Sequence, residues 1–249
     1  GGKPGGPQRS DSLAQQALDV QKMCKNAQTL LFSATFSETV LDFAKEICTD
    51  AKLITLEKEE VPLHNITQIH IDCPNAQSQD EKLDVVEDLL ESNLNFKQSI
   101  IFCNTINGTK LLTNSLREDG FPVSILHSKL DGKEREQAVA DFRLGKTKVL
   151  VSTNLIARGL DVPDVSLVIN FDIPVQKDKT QGDCETYLHR IGRCGRFGRK
   201  GVALALTFDA SSRATLQTIV DEHKMTMHKL TNDTAEITTK LFPLISKSL

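Results

Sequence analysis

No apolar run in this sequence approaches the ~20 residues that a membrane-spanning helix needs, so no span is expected. The six cysteines, at 24, 48, 73, 103, 184 and 194, show no CxxC pairing. That leaves zinc ligation without its usual signature and makes reduced thiols the default. Charge of neither sign dominates: 30 basic against 33 acidic residues give a net charge of −3. A globally basic nucleic-acid binder is excluded, and any such contact must come from a local surface. No GxxxxGK[ST] loop is present. Gly145-Lys146-Thr147 looks like the end of one, but position 140 is Ala, and the order here is helix, GKT, strand. A phosphate loop needs strand, loop, helix, so that amides at a helix N-terminus face the anion. The run therefore reads as a helix stop.

What is present is an ordinary soluble composition, 39% hydrophobic and 25% charged over 249 residues, enough for one large domain or two small ones. Residues 1–10 read as linker or tag, and Leu13, Ala17, Val20 and Met23 follow at helical spacing. Thr29–Phe32 and Lys52–Leu56 read as strands around a helix carrying Val40, Leu41, Ala44 and Ile47. The charged, proline-ended stretch 57–62 suits a linker. Strand and helix then alternate: strands at 66–71, 99–103, 123–126, 148–152, 166–171 and 202–207, helices at 82–90, 105–119, 131–144, 185–191 and 213–223. Short apolar strands between amphipathic helices mean βαβ units and a parallel sheet covered on both faces, with ligands at the carboxyl ends of the strands.

The most informative stretch is His189-Arg190-Ile191-Gly192-Arg193-Cys194-Gly195-Arg196-Phe197-Gly198-Arg199-Lys200. Arginine and glycine each recur every third residue. Residues i and i+3 share a helix face, so Arg190 and Arg193 are expected to point the same way. Aligned guanidiniums repel unless a multiply charged anion sits opposite, and their forks match phosphate oxygens. A solvated basic face is the bland alternative, but it has no need of this glycine spacing.

This run resembles motif VI of the DEAD-box RNA helicases, with Cys194 where many members carry Thr or Gly. Other stretches resemble further motifs in order: Ser33-Ala34-Thr35 motif III, Ile100–Thr105 motif IV, and Val151-Ser152-Thr153-Asn154-Leu155-Ile156-Ala157-Arg158-Gly159-Leu160-Asp161 motif V. Arg135 stands where the family has the arginine of QxxR, with Gly132 in place of the glutamine. The long polar loop Lys177–Cys184 before Glu185-Thr186-Tyr187-Leu188 looks more like the nuclear-pore-associated messenger-RNA-export subfamily than the translation-initiation one. No Asp-Glu-Ala-Asp run is present.

The resemblance implies an α/β, RecA-like fold, mostly parallel with helices on both faces. Residues 11–57 would be the end of a first RecA-like lobe, 58–65 a linker, 66–240 the second lobe and 241–249 a tail. It implies ATP and Mg2+ held mainly by the missing first lobe, with Gly159, Asp161, Arg190 and Arg193 contributing to ATP. Arg190 and Arg193 would be catalytic, as fingers on the γ-phosphate. Asn104, Thr105, Arg135 and Thr153 would touch RNA, and Ser33, Ala34, Thr35, His189 and Arg196 would couple the lobes. No residue here is expected to bind a metal. RNA is the implied partner, with an export activator on the second lobe and a nuclear-pore protein on the missing first. The implied locations are the cytoplasm and the nuclear envelope at the pore, with the nucleus as a further one, and the chain reads as an inactive fragment of the enzyme. A RecA-like scaffold with no catalytic role, or a DNA helicase of the same superfamily, are the readings from other classes; the paired arginines count against the first.

Overall fold

The computed structural model describes residues 9–23, 27–32, 38–48, 50–54, 64–73, 80–92, 96–154, 165–176, 178, 181–195 and 198–248. The chain divides into two compact units, Gly1–Glu57 and Lys58–Leu249.

The first unit contains helices α1 (Arg9–Met23) and α2 (Glu38–Ile47), which pack on each other, with the Gln21 amide donating to the Ile47 carbonyl at 2.6 Å. The strands expected at 29–32 and 52–56 are not formed in their described parts, 29–32 and 52–54. Phe32 is 87% exposed and Ile54 77%. A strand needs neighbours to satisfy its ladder, and no strand is described in this unit to supply them.

The second unit is a seven-stranded sheet with every pairing parallel: β1 (Ile66–Asp72), β2 (Gln98–Phe102), β3 (Val123–Leu126), β4 (Val149–Ser152), β5 (Val165–Asn170), β6 (Gly201–Thr207) and β7 (His228–Thr231). Their spatial order is β3-β4-β2-β5-β6-β1-β7. Right-handed crossovers then decide the helix positions. Connections that step toward β3 lay α3 (Asp80–Glu91) and α4 (Ile106–Glu118) on one face. Steps the other way lay α5 (Gly132–Arg143), α6 (Cys184–Ile191) and α7 (Ala210–Glu222) on the opposite face. The strand residues obey the same division. Ile69, Ile71, Ile101, Val151, Ile169 and Leu204 pack with Val86, Leu89 and Leu116 of α3 and α4. Ile100, Phe102, Leu150 and Val168 pack with Phe142 of α5, and Ala203 and Ala205 with Tyr187 and Leu216 of α6 and α7. A sheet buried on both sides accounts for the unbroken apolar strands.

Local chemistry sets the helix limits. Thr105 caps α4 through Gly108 N–H at 2.9 Å, and Gly120 leaves it at φ +86°. Asp131 and Glu134 form a reciprocal capping box on α5, which ends before Gly145 at φ +70°. The GKT run is thus a helix exit, with Lys146 paired to Asp141 at 3.0 Å. In its described part, the segment 241–249 expected as a tail is packed. The chain passes through α8 (Thr234–Glu236), a wide turn over Ile237–Leu241 and α9 (Phe242–Ser248), and carries Leu241 and Ile245 into the core, both fully buried. β7 went unread because only Leu230 of its four residues is buried, as suits an edge strand.

Candidate functional site

Parallel register delivers one polar residue from each of three neighbouring strands to the same edge. Phe102 lies opposite Ser152 on one side and Asn170 on the other. Asn104 and Asn154 each follow that line by two residues, so three asparagines meet at the carboxyl ends of β2, β4 and β5. Helix α6 then brings in Arg190. Asp183 caps α6 by accepting from the Thr186 amide at 2.8 Å, and buried Tyr187 and Ile191 seat it on the sheet. The Tyr187 hydroxyl donates to Gln68 of β1 at 3.3 Å.

Arg190 is fully buried and spends its whole donor fork inside the protein. Nε donates to Asn154 Oδ1 at 2.9 Å, and Nη2 to the same oxygen at 2.5 Å and to Asn104 Oδ1 at 2.9 Å. Nη1 donates to Asn170 Oδ1 at 3.1 Å and the Asp172 carbonyl at 2.7 Å. Its guanidinium carbon stands 5.1 Å from the centre of the Phe102 ring. Burial pulls its pKa down to about 10, partly offset by Asp172, so it remains a cation at neutral pH. Lys82 of α3 holds the next shell. Its ammonium, also buried, donates to the Phe171 carbonyl at 2.6 Å and to Asp172 Oδ1 at 3.2 Å, over the Phe171 ring. The other Asp172 oxygen accepts from the Asn104 amide at 2.9 Å.

This geometry differs from the expectation that Arg190 and Arg193 share a face aimed at a phosphate. The i, i+3 argument holds only while the helix continues, and α6 ends at Ile191 with Gly192 as its C-cap. Arg190 turns inward. Arg193 lies one step past the helix, half-buried, with Nε donating to the His189 carbonyl at 3.1 Å. Two of the glycines that follow serve packing: a Cβ on Gly195, at φ +69°, would stand 2.8 Å from Ile66 Cγ1, and one on Gly201 would stand 2.6 Å from Gly195 N. His189 Nδ1 is 4.0 Å from Glu185 on the same helix.

The residues expected to touch nucleic acid lie around the same edge with unequal freedom. Asn104 has both ends of its amide engaged, its Nδ2 donating to the Ile173 carbonyl at 2.7 Å, which leaves little of it for a phosphate. Thr105 is exposed, and its oxygen accepts the α4 cap while its proton remains a donor. Thr153 is half-buried beyond β4, its amide bound to the Leu126 carbonyl at 3.2 Å. Arg135 is exposed on the first turn of α5, 3.5 Å from the Leu130 carbonyl. Ser33, Ala34, Thr35, Gly159, Asp161 and Arg196 lie outside the described residues.

Sequence reasoning missed Asn170, Asp172 and Lys82 and gave Asn154 no role. A signal was available: an Asn at or just past the end of three apolar strands, in Phe-Cys-Asn, Ser-Thr-Asn and Val-Ile-Asn.

The helicase conserved C-terminal domain matches residues 81–198. A solved structure of the C-terminal domain of the DEAD-box protein Dbp5 is 38% identical, with TM-score 0.64 over 74% of this chain and 98% of that one. The chain belongs to the DEAD-box family. Among curated DEAD-box relatives, the ATP-dependent RNA helicase dbp5 of Botryotinia fuckeliana is 38% identical over 237 residues, 95% of this chain and 50% of the relative. Saccharomyces cerevisiae Dbp5 bound to RNA and ADP BeF3 superposes with TM-score 0.82 at 37% identity, covering 96% of this chain and 60% of that one. Other structures hold the yeast protein with Gle1 and IP6, and with Nup159, Gle1, IP6 and ADP. The chain spans about half the length of the curated relatives it matches.

Proposed function

We propose that this chain is the second lobe of an ATP-dependent RNA helicase acting in messenger-RNA export at the nuclear pore. The observation that carries the reading is the clamp on Arg190. It binds the loops after β2, β4 and β5 to the helix that ends just before Arg193, which supports a reading in which the loops assigned to RNA and the arginine assigned to nucleotide move together.

In the intact enzyme, ATP sits between this lobe and one carrying the phosphate loop. Arg193 supplies the finger on the γ-phosphate, a contribution worth roughly three to five decades of rate in other phosphoryl-transfer enzymes. Arg190 holds the geometry. Asp161 and Gly159 serve the nucleotide, and His189, Arg196 and Ser33-Ala34-Thr35 couple the lobes. Thr153 and Thr105 donate to RNA phosphates and Arg135 pairs with one, contacts that are indifferent to base sequence. Magnesium is assigned to the other lobe: among the described residues, the acid at this edge, Asp172, already accepts from Lys82 and the Asn104 amide. The yeast complexes with Gle1, IP6 and Nup159 support an activator and a pore protein as partners.

The test compares RNA-stimulated ATP hydrolysis by the isolated 249-residue chain and by an intact enzyme containing it. The chain alone is expected to show no turnover. Stimulation of the intact enzyme by matched DNA as strongly as by RNA would end the reading, and a salt titration of both affinities measures the phosphate contacts directly.

A further inference from the structure

Away from the arginine clamp, one group of side chains brings together a thiol, a carboxylate and an imidazole. Cys184 opens α6, Glu222 is the last residue of α7, and His223 is its C-cap. One donor atom from each lies within 4.8 Å of the other two. The Cys184 thiol donates to Glu222 Oε2 at 2.8 Å. Cys184 is buried, His223 half-buried and Glu222 exposed, so the group has an apolar back and an open front. We propose that Cys184, Glu222 and His223 form a binding site for a zinc-class divalent cation.

The chemistry of the set selects the ion. Zinc bonds at about 2.3 Å to sulfur and 2.0–2.2 Å to nitrogen and oxygen, which puts tetrahedral ligands roughly 3.3–3.8 Å apart. The three donors lie within 4.8 Å of one another before any ion binds, no more than about 1 Å beyond that spacing. A thiolate disfavours Mg2+ and Ca2+, which take oxygen donors, and favours zinc and its spectroscopic substitute cobalt. The neighbouring carboxylate of Asp183 is committed to the Thr186 amide and hydroxyl, at 2.8 and 2.7 Å, so the fourth position is left to water. Binding is a displacement without redox change. The S–H bond breaks, its proton leaves to solvent, a sulfur–metal bond forms in its place, and the carboxylate and neutral imidazole each donate a lone pair. Burial and the nearby Glu222 carboxylate push the free thiol up to about 12, so in the metal-free protein it stays protonated and hydrogen-bonded.

The position gives the site a consequence. Cys184 begins the helix that carries Arg190 and ends just before Arg193, and Glu222 and His223 end the helix packed beside it. The loop leading into Cys184 is pinned there already, by the Val175–Gly182 bridge and by Asp183 N–H to the Pro174 carbonyl at 2.9 Å. A bound cation would add a bond between the two helices and fix the start of the arginine helix.

The test is cobalt titration of the 249-residue chain, followed by absorbance and by zinc-dependent melting. The wild type is expected to develop a thiolate-to-cobalt charge-transfer band, and zinc at 100-fold excess over its Kd raises Tm by about 5–10 °C. Cys184→Ser abolishes both effects while keeping the metal-free circular dichroism spectrum, and Cys48→Ser keeps both. His223→Ala weakens cobalt by about tenfold or more. No band in the wild type, a band that survives Cys184→Ser, or full affinity in His223→Ala would each overturn the proposal.

Discussion

Arg190→Lys separates a buried keystone from an exposed phosphate finger. The guanidinium reaches four acceptor atoms, the side-chain oxygens of Asn104, Asn154 and Asn170 and the carbonyl of Asp172. A lysine ammonium carries three protons on one nitrogen and cannot span the same fork. The buried Asn170 oxygen and one of the part-buried acceptors are then left without a donor, at about 1–3 kcal/mol each. The expected loss is about 2–5 kcal/mol, or roughly 4–20 °C in Tm for a unit of this size. An exposed arginine replaced by lysine would change stability by no more than about 0.5 kcal/mol. The assay is thermal and urea unfolding of the chain with no nucleotide or RNA present, so that catalysis plays no part. An unchanged midpoint would refute the clamp and return Arg190 to the phosphate.

Three further outcomes follow from other parts of the second unit. Gly182→Ala places a Cβ 2.5 Å from Ile219 Cγ1 and 2.7 Å from the Thr215 carbonyl, and is expected to cost about 1–3 kcal/mol in urea unfolding. Lys82→Met leaves the Asp172 carboxylate without its cation, and should destabilise by roughly 3–5 kcal/mol in the same assay. Burial and a hydrogen bond with Asp119 raise Glu87 from 4.5 to about 7. A carboxyl raised in the folded state opposes folding once it must ionise, so the contribution of Glu87 improves as pH falls from 7 toward 4.5. Glu87→Gln should therefore stabilise the chain at pH 8 and flatten its Tm profile across that window.

Much of the fold could be read in the sequence because its signals were local. Ile100–Phe102, Val149–Val151 and Val202–Leu206 are unbroken apolar runs, and a strand covered on both faces has to look that way. Asp131, Gly120 and Gly145 mark helix limits by their own chemistry. The failures came from signals that depend on partners. Leu30, Phe32 and Ile54 have the composition of buried strands but are exposed where no paired strand covers them. His228–Thr231 pairs on one side only and buries one side chain. The direction of Arg190 depended on where α6 stopped, and the three asparagines that receive it are 16 to 66 residues apart. The arginine and glycine repeat identified the right segment. Which arginine faces inward depended on a helix end that spacing alone does not give.

If this lobe brings a positive charge to a triphosphate seated mainly on another lobe, Arg193→Ala removes it. Single-turnover ATP hydrolysis by an intact enzyme carrying this lobe, measured with and without that substitution, is expected to fall by roughly three to five decades in the hydrolysis step, with RNA binding and Tm retained. Hydrolysis at the wild-type rate in the variant, or robust turnover by the 249-residue chain alone, would contradict this arrangement.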